Sequence, residues 1–387
     1  MREFVSKQIA ALPPSGIRKF FDLVTGSKDI ISLGVGEPDF VTPWHIREAA
    51  IDSLERGRTT YTSNWGLLEL RRAISDHLYD WQGIRYNPES EVLVTVGVSE
   101  GIDLVMRTVL EPGDEVLVVE PCFVSYAPAA ILAGGTVVRV PTRLEDEFKL
   151  TPALLRSCIT PRTKVLMMGF PGNPTGAVMT EAELAAVAEV VREHDLLVVT
   201  DEIYGDLTYE DTHRSIAALP GMQERTVLLN GFSKAHAMTG WRIGYACGPA
   251  AIIGQMMKIH QYTIMCPPIM GQIAAIEALT HGAAERDKMV AEYNRRRRLM
   301  VNGFRQMGLP CFEPKGAFYI FPSIAPTGMT DEEFALRLLE EEKVAVVPGG
   351  AFGESGRGHI RCSYAAAMEN LAEALKRMER FVARHVG

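Results

Sequence analysis

Short, nearly unbroken apolar runs recur through the middle of this chain. They are "EVLVTVG" (91–97), "DEVLVVE" (114–120), "TVVRVP" (136–141), "KVLMMGF" (164–170), "LLVVTD" (196–201), "TVLLNG" (226–231) and "RIGYACG" (242–248). A strand with one face in water alternates apolar and polar residues. Most of these runs do not, so they read as strands covered on both faces. Helical stretches such as "SEGIDLVMRTVL" and "EAELAAVAEVVREH" separate many of them. Strand–helix alternation predicts an α/β fold with a mainly parallel sheet between helices.

The last hundred residues change character. A long charged helical segment (about 284–307) leads to "GAFYIFPS", a helix "DEEFALRLLEEEK", a strand "VAVVPG", a strand "HIRCSY" and a final amphipathic helix. This predicts a separate, smaller α+β domain. With 387 residues the chain exceeds one ordinary core. The expected division is an N-terminal arm with part of the small domain (1–44), a large domain (45–283) and a small C-terminal domain (284–387).

The formal net charge of −8 speaks against a nucleic-acid partner, which needs a basic footprint. The one dense basic run, "RRRR" at 295–298, is expected to be a solvated helix face, with a salt-bridging or subunit-contact role as the alternative. Six scattered cysteines form no C-x-x-C pair, so neither a disulfide framework nor structural zinc is expected. No apolar run has bilayer-spanning length, and the first residues lack a signal-type apolar core. The expectation is a cytoplasmic protein.

In open α/β sheets ligands bind beyond the carboxyl ends of the strands. The unusual residues gather there. Lys234 follows one strand in "NGFSKAHAMTGWRIG", Asp201 and Tyr204 another in "TDEIYG", Asn173 a third in "PGNPTG", and "GVSEG" (97–101) opens a helix after a fourth. Each has a bland reading: a strand-capping lysine, a turn carboxylate, a turn amide, a core tyrosine, a surface Arg242. Together they match one ligand, a phosphorylated pyridine aldehyde. A lysine binds the aldehyde as a Schiff base, and a carboxylate pairs with the ring nitrogen. An amide and a phenol bond the ring oxygen. Arg242, Ser233 and the helix start near Ser99 cradle the phosphate. That ligand is pyridoxal 5'-phosphate.

Nearly end to end, the sequence resembles the class I/II aminotransferases of pyridoxal-phosphate fold type I. The segments that carry the resemblance are "GEPDF", "YTSNWGLLELRRAI", "VTVGVSEGID", "PGDEVLVVEPCFVSY", "FPGNPTG", "TDEIY", "SKAHAMTGWRIGY", "GAFYIFP" and "HIRCSY". It is most similar to the aspartate/aromatic branch, in particular to bacterial aromatic-amino-acid or N-acetyl-diaminopimelate aminotransferases. The resemblance implies a large domain with a seven-stranded sheet. It implies transfer of an amino group from an L-amino acid to a 2-oxo acid such as 2-oxoglutarate, by a ping-pong Schiff-base mechanism. Lys234 matches the coenzyme-binding lysine, Asp201 the partner of the ring nitrogen, and Tyr204 and Asn173 the ligands of the ring oxygen. Phe123 matches the aromatic stacked on the ring, and Val98, Ser99, Ser233 and Arg242 the phosphate ligands. Arg361, Asn173 and the Gly36 backbone match the substrate-carboxylate site. Tyr61 matches a tyrosine reaching the phosphate of a neighbouring subunit, which implies a homodimer. Ile17, Phe21, Tyr126 and the arm around Gly16 are candidates for the side-chain pocket. One departure is Gly231, where many relatives have serine.

Rival readings are weaker. β-Elimination would use the same coenzyme site. A coenzyme-sensing regulator would carry a DNA-binding module ahead of this fold, and the resemblance starts within the first residues. A scaffold without activity would have no need to keep the whole constellation. "GVGEPD" (34–39) lacks the third dinucleotide-binding glycine and opens no helix. No H-E-x-x-H or Cys/His cluster supports metal chemistry.

Overall fold

The computed structural model describes residues 4–14, 16, 29–210 and 212–385. Ile17 and Phe21 lie outside these. The strands are β1 (Ile31–Ser32), β2 (Val92–Thr95), β3 (Glu115–Glu120), β4 (Thr136–Pro141), β5 (Thr163–Gly169), β6 (Leu197–Asp201), β7 (Thr226–Gly231), β8 (Gly244–Cys247), β9 (Tyr319–Ile320), β10 (Val344–Ala345), β11 (Val347–Pro348) and β12 (Ile360–Ser363).

Seven of them form the central sheet in the order β2-β8-β7-β6-β5-β3-β4. β8 runs antiparallel to both its neighbours; the other pairs in the sheet are parallel. Alternate side chains of the apolar runs serve opposite faces. Leu117, Val119, Leu166 and Val198 pack with Leu184, Val187 and Val191 of the helix Glu181–Glu193. Val116, Val118, Val165, Met167 and Val199 pack with Ile102 and Val105 of the helix Gly97–Val109. Both faces are therefore dry, as the unbroken hydrophobicity requires. β4 is one of the two edge strands and the most exposed of the seven.

Two sequence expectations need correction here. "VAVVPG" is not one strand: Val344–Ala345 pairs in parallel with β1, and Val347–Pro348 pairs antiparallel with β12. The three-stranded sheet β11-β12-β9 carries Arg361. Nor is the arginine run a solvated face. It lies on the helix Ala283–Gln306, and Arg296 and Arg297 are buried. Arg296 bonds Asp39 at 2.8 Å and Glu292 at 3.1 Å. Arg297 bonds Glu210 at 2.9 Å, Glu313 at 3.3 Å and the Pro314 carbonyl at 2.9 Å. Helical periodicity puts 296, 297, 300 and 304 on the inner side, and carboxylates from distant segments compensate the buried charge. Arg295 remains outside, paired with Glu292.

The six cysteines are free. Among the described residues no helix is long and apolar enough to cross a membrane, and no group of side chains could hold a metal ion.

Candidate active site

The carboxyl ends of β2, β3, β5, β6 and β7 open on one cavity of about 290 Å³. Eleven of the twelve expected site residues line it: Gly36, Val98, Ser99, Phe123, Asn173, Asp201, Tyr204, Ser233, Lys234, Arg242 and Arg361. Tyr61 does not; it is 80% exposed.

Lys234 stands three residues past β7. Its Nζ donates to the Gly36 carbonyl at 2.7 Å. Burial is the main cause that brings the amine down from 10.5 to about 8. The Glu37 carboxylate opposes this, while Arg361 and Arg242 push it further. An amine in this range has a usable neutral fraction near neutrality, which a surface lysine lacks.

Asp201 ends β6 and is buried. Burial lifts its carboxyl from 3.8 to about 6. The Tyr126 hydroxyl, donating to Oδ2 at 2.8 Å, and the Ile203 N–H, donating to Oδ1 at 3.1 Å, offset only part of that cost. A buried carboxylate of this kind calls for a cation. Tyr126, a candidate for the side-chain pocket, lines the cavity and gives its hydroxyl proton to Asp201. Phe123 meets the Tyr126 ring edge-on at 5.8 Å.

Arg361 lies between the rings of Tyr319 and Phe352, 4.6 and 4.7 Å from their centroids. Its Nη1 donates to Asn173 Oδ1 at 2.9 Å and its Nη2 to the Gly34 carbonyl at 2.5 Å. Its Nε is buried with no partner. The Tyr204 hydroxyl is 2.7 Å from that of Tyr319.

At the other end of the cavity the helix Gly97–Val109 begins. Gly97 has φ +73°, and a Cβ there would come within 2.5 Å of Arg242 Nη2. Only glycine lets the guanidinium reach this helix start, where free N–H groups favour an anion. Arg242 Nη1 donates to the Thr239 carbonyl at 3.0 Å. Ser99 and Ser233 complete the concave surface. Gly231 also has a local reason: a Cβ would lie 2.8 Å from Gly244 Cα and 2.9 Å from the Ile243 carbonyl oxygen. The antiparallel β7–β8 pair is too close there for serine.

Sequence reasoning missed Ile102, Pro171, Ile203, Thr239 and Tyr319 as lining residues. "GAFYIFP" was recognisable, but its tyrosine reads as core until the fold sets it beside Tyr204.

A depressed amine, a buried carboxylate, an arginine with an unused N–H and a cationic helix start therefore share one cavity. The donor set fits pyridoxal 5'-phosphate, and the fold and site define an enzyme of the coenzyme-dependent transferase class. A family model, aminotransferase class I and II, matches residues 28–378. The chain is 48% identical to an aspartate aminotransferase of Pyrococcus abyssi (strain GE5 / Orsay) over 97% of each chain. It is 46% identical to aromatic-amino-acid aminotransferase 2 of Thermococcus litoralis (strain ATCC 51850 / DSM 5473 / JCM 8560 / NS-C), again over 97% of each. Among solved structures, the Thermus thermophilus aspartate aminotransferase with maleate superposes with a TM-score of 0.93 at 41% identity, covering 98% of this chain and 100% of that one. The chain belongs to the class I and II aminotransferases. It is an amino-group-transferring enzyme whose coenzyme is pyridoxal 5'-phosphate.

Proposed function

We propose that this aminotransferase moves the amino group of an aspartate-type or aromatic L-amino acid to a 2-oxo acid such as 2-oxoglutarate, in two half-reactions at one site. The observation that carries the reading is Lys234: a partly buried amine brought down to about 8, sharing a cavity with the carboxylate of Asp201 and the guanidinium of Arg361.

Pyridoxal 5'-phosphate, when bound, supplies an electron sink for the pair left at the amino acid Cα. Lys234 would bond its aldehyde carbon and, once released, act as the general base that takes the Cα proton. Asp201 would neutralise positive charge at the ring nitrogen. Asn173 and Tyr204 would bond the ring oxygen, and Phe123 would cover the ring face. Val98, Ser99, Ser233 and Arg242 would hold the phosphate. Arg361, whose Nε is free, would grip the substrate carboxylate with Asn173 and the Gly36 backbone, fixing the direction of the Cα–H bond. The names of the relatives, aspartate and aromatic, support the substrate range. The exposure of Tyr61 supports its service to a second subunit, hence a homodimer with sites at the interface. On this reading 45–283 form the large domain, 284–387 the small one with part of 1–44, and the enzyme works in the cytoplasm.

The test is a panel of amino donors with 2-oxoglutarate, read by coenzyme absorbance in single turnovers. Aspartate or an aromatic amino acid should bleach the coenzyme band, and 2-oxoglutarate should restore it. Lys234→Ala should abolish turnover. Wild-type rates in that variant, or a band that no donor bleaches, would refute the proposal.

A further inference from the structure

Tyr319 on β9 has so far no role in the chemistry. It is fully buried. Its hydroxyl lies 2.7 Å from the Tyr204 hydroxyl, and the two rings meet edge-on at 5.7 Å and 77°. Its face carries the Arg361 guanidinium at 4.6 Å. Its hydroxyl also abuts Gly36, where a Cβ would come within 2.5 Å. One side chain thus touches the proposed ring-oxygen ligand, the proposed carboxylate ligand and the loop that accepts from Lys234.

Two hydroxyls at this distance form one hydrogen bond, and a phenol has one proton. The direction of that bond decides what Tyr204 has left to give. If Tyr204 donates to Tyr319, its proton is spent. If Tyr319 donates, the Tyr204 proton is free for the cavity. The cation against the Tyr319 ring favours the second case, because it stabilises charge on that phenol and makes it the better donor. Burial pushes both phenols up, so both enter the hydrogen bond protonated.

We propose that Tyr319 is a positioning residue: its hydroxyl donates to the Tyr204 hydroxyl and so turns the Tyr204 proton toward the ring oxygen of the bound coenzyme, while its ring seats Arg361 for the substrate carboxylate. The inference rests on the assignment of Tyr204 made above. A donated bond stabilises the anionic form of the oxygen that accepts it. A polarised donor does so more strongly than a lone one.

The experiment titrates the absorbance of the coenzyme-loaded enzyme against pH. Tyr319→Phe keeps the ring under Arg361 and removes the hydroxyl. It should raise the midpoint by about half a pH unit, lower kcat about threefold and leave KM for the amino donor within about twofold. Tyr204→Phe should shift the midpoint further. Adding Tyr319→Phe to Tyr204→Phe should then change nothing, since Tyr319 acts through Tyr204. Incorporating 3-fluorotyrosine at position 319 preserves the packing and strengthens the donor, so it should move the midpoint down. Tyr319→Leu, which also removes the ring face, should weaken maleate binding about tenfold. A Tyr319→Phe midpoint equal to wild type would overturn the proposal. So would an equal shift in the Tyr204→Phe background, or a fluorotyrosine enzyme that titrates like wild type. A wild-type protein that takes up no coenzyme would instead refute the function proposed above.

Discussion

Asp201→Asn should stabilise the coenzyme-free protein and weaken the loaded one. In the free protein the carboxyl is buried and raised from 3.8 to about 6. The amide can keep both bonds: its oxygen accepts from the Ile203 N–H, and its nitrogen donates to the Tyr126 oxygen. What disappears is the cost of ionising a buried acid. Between the two midpoints the folded state binds more protons than the unfolded one, so wild-type stability falls as pH rises from about 4 to about 6. Above 6 the loss is complete, at about 3 kcal/mol from 1.36 kcal/mol per pH unit. For a chain of 387 residues this corresponds to roughly 4 °C in Tm. Thermal unfolding of coenzyme-free samples from pH 4 to 8 should show the variant gaining on wild type up to pH 6, then running parallel above it. With saturating coenzyme the order should reverse, because the substituted amide offers no charge to the ring nitrogen. A stability difference independent of pH between 4 and 6 would show that burial does not tune this carboxyl as reasoned.

Other substitutions probe separate parts of the site and its support. Arg361→Lys loses the forked, ring-stacked geometry and should raise the dissociation constant for maleate about thirtyfold, at about 2 kcal/mol, with coenzyme uptake unchanged; equilibrium titration would decide, and an unchanged constant would remove Arg361 from the carboxylate site. Gly231→Ser must move β7 away from Gly244 and should cost about 2 kcal/mol in denaturant unfolding; a variant as stable as wild type would mean that the close approach has slack. Arg297→Ala should cost roughly 3 kcal/mol, through the cavity it leaves and its lost bonds to Glu210 and Glu313. Arg295→Ala on the exposed face should stay within about 0.5 kcal/mol, and equal effects at the two positions would contradict the inward placement of Arg297.

The central sheet was legible because strands covered on both faces have no polar phase to confuse the reading. Lys234, Asp201 and Asn173 were legible because each is a polar residue at the end of an apolar run. Strand direction was not: "RIGYACG" looks like its parallel neighbours, and only its pairing with β2 and β7 shows it reversed. Partner choice was hidden as well. Arg296 and Arg297 read as surface charge until Asp39, Glu210 and Glu313 arrive from other segments. Tyr126 and Tyr319 carry no local mark, since the carboxylate and phenol they meet lie 75 and 115 residues away along the chain.

Lys234 and Arg242 both sit on the turnaround between β7 and β8. On the proposed roles, a small molecule clasped by both would be moored at two points of one short connection. If catalysis undoes the lysine mooring in every cycle, the arginine and the neighbouring helix tip still retain the molecule. On that reading the enzyme could open its covalent link repeatedly without its prosthetic group drifting into solution.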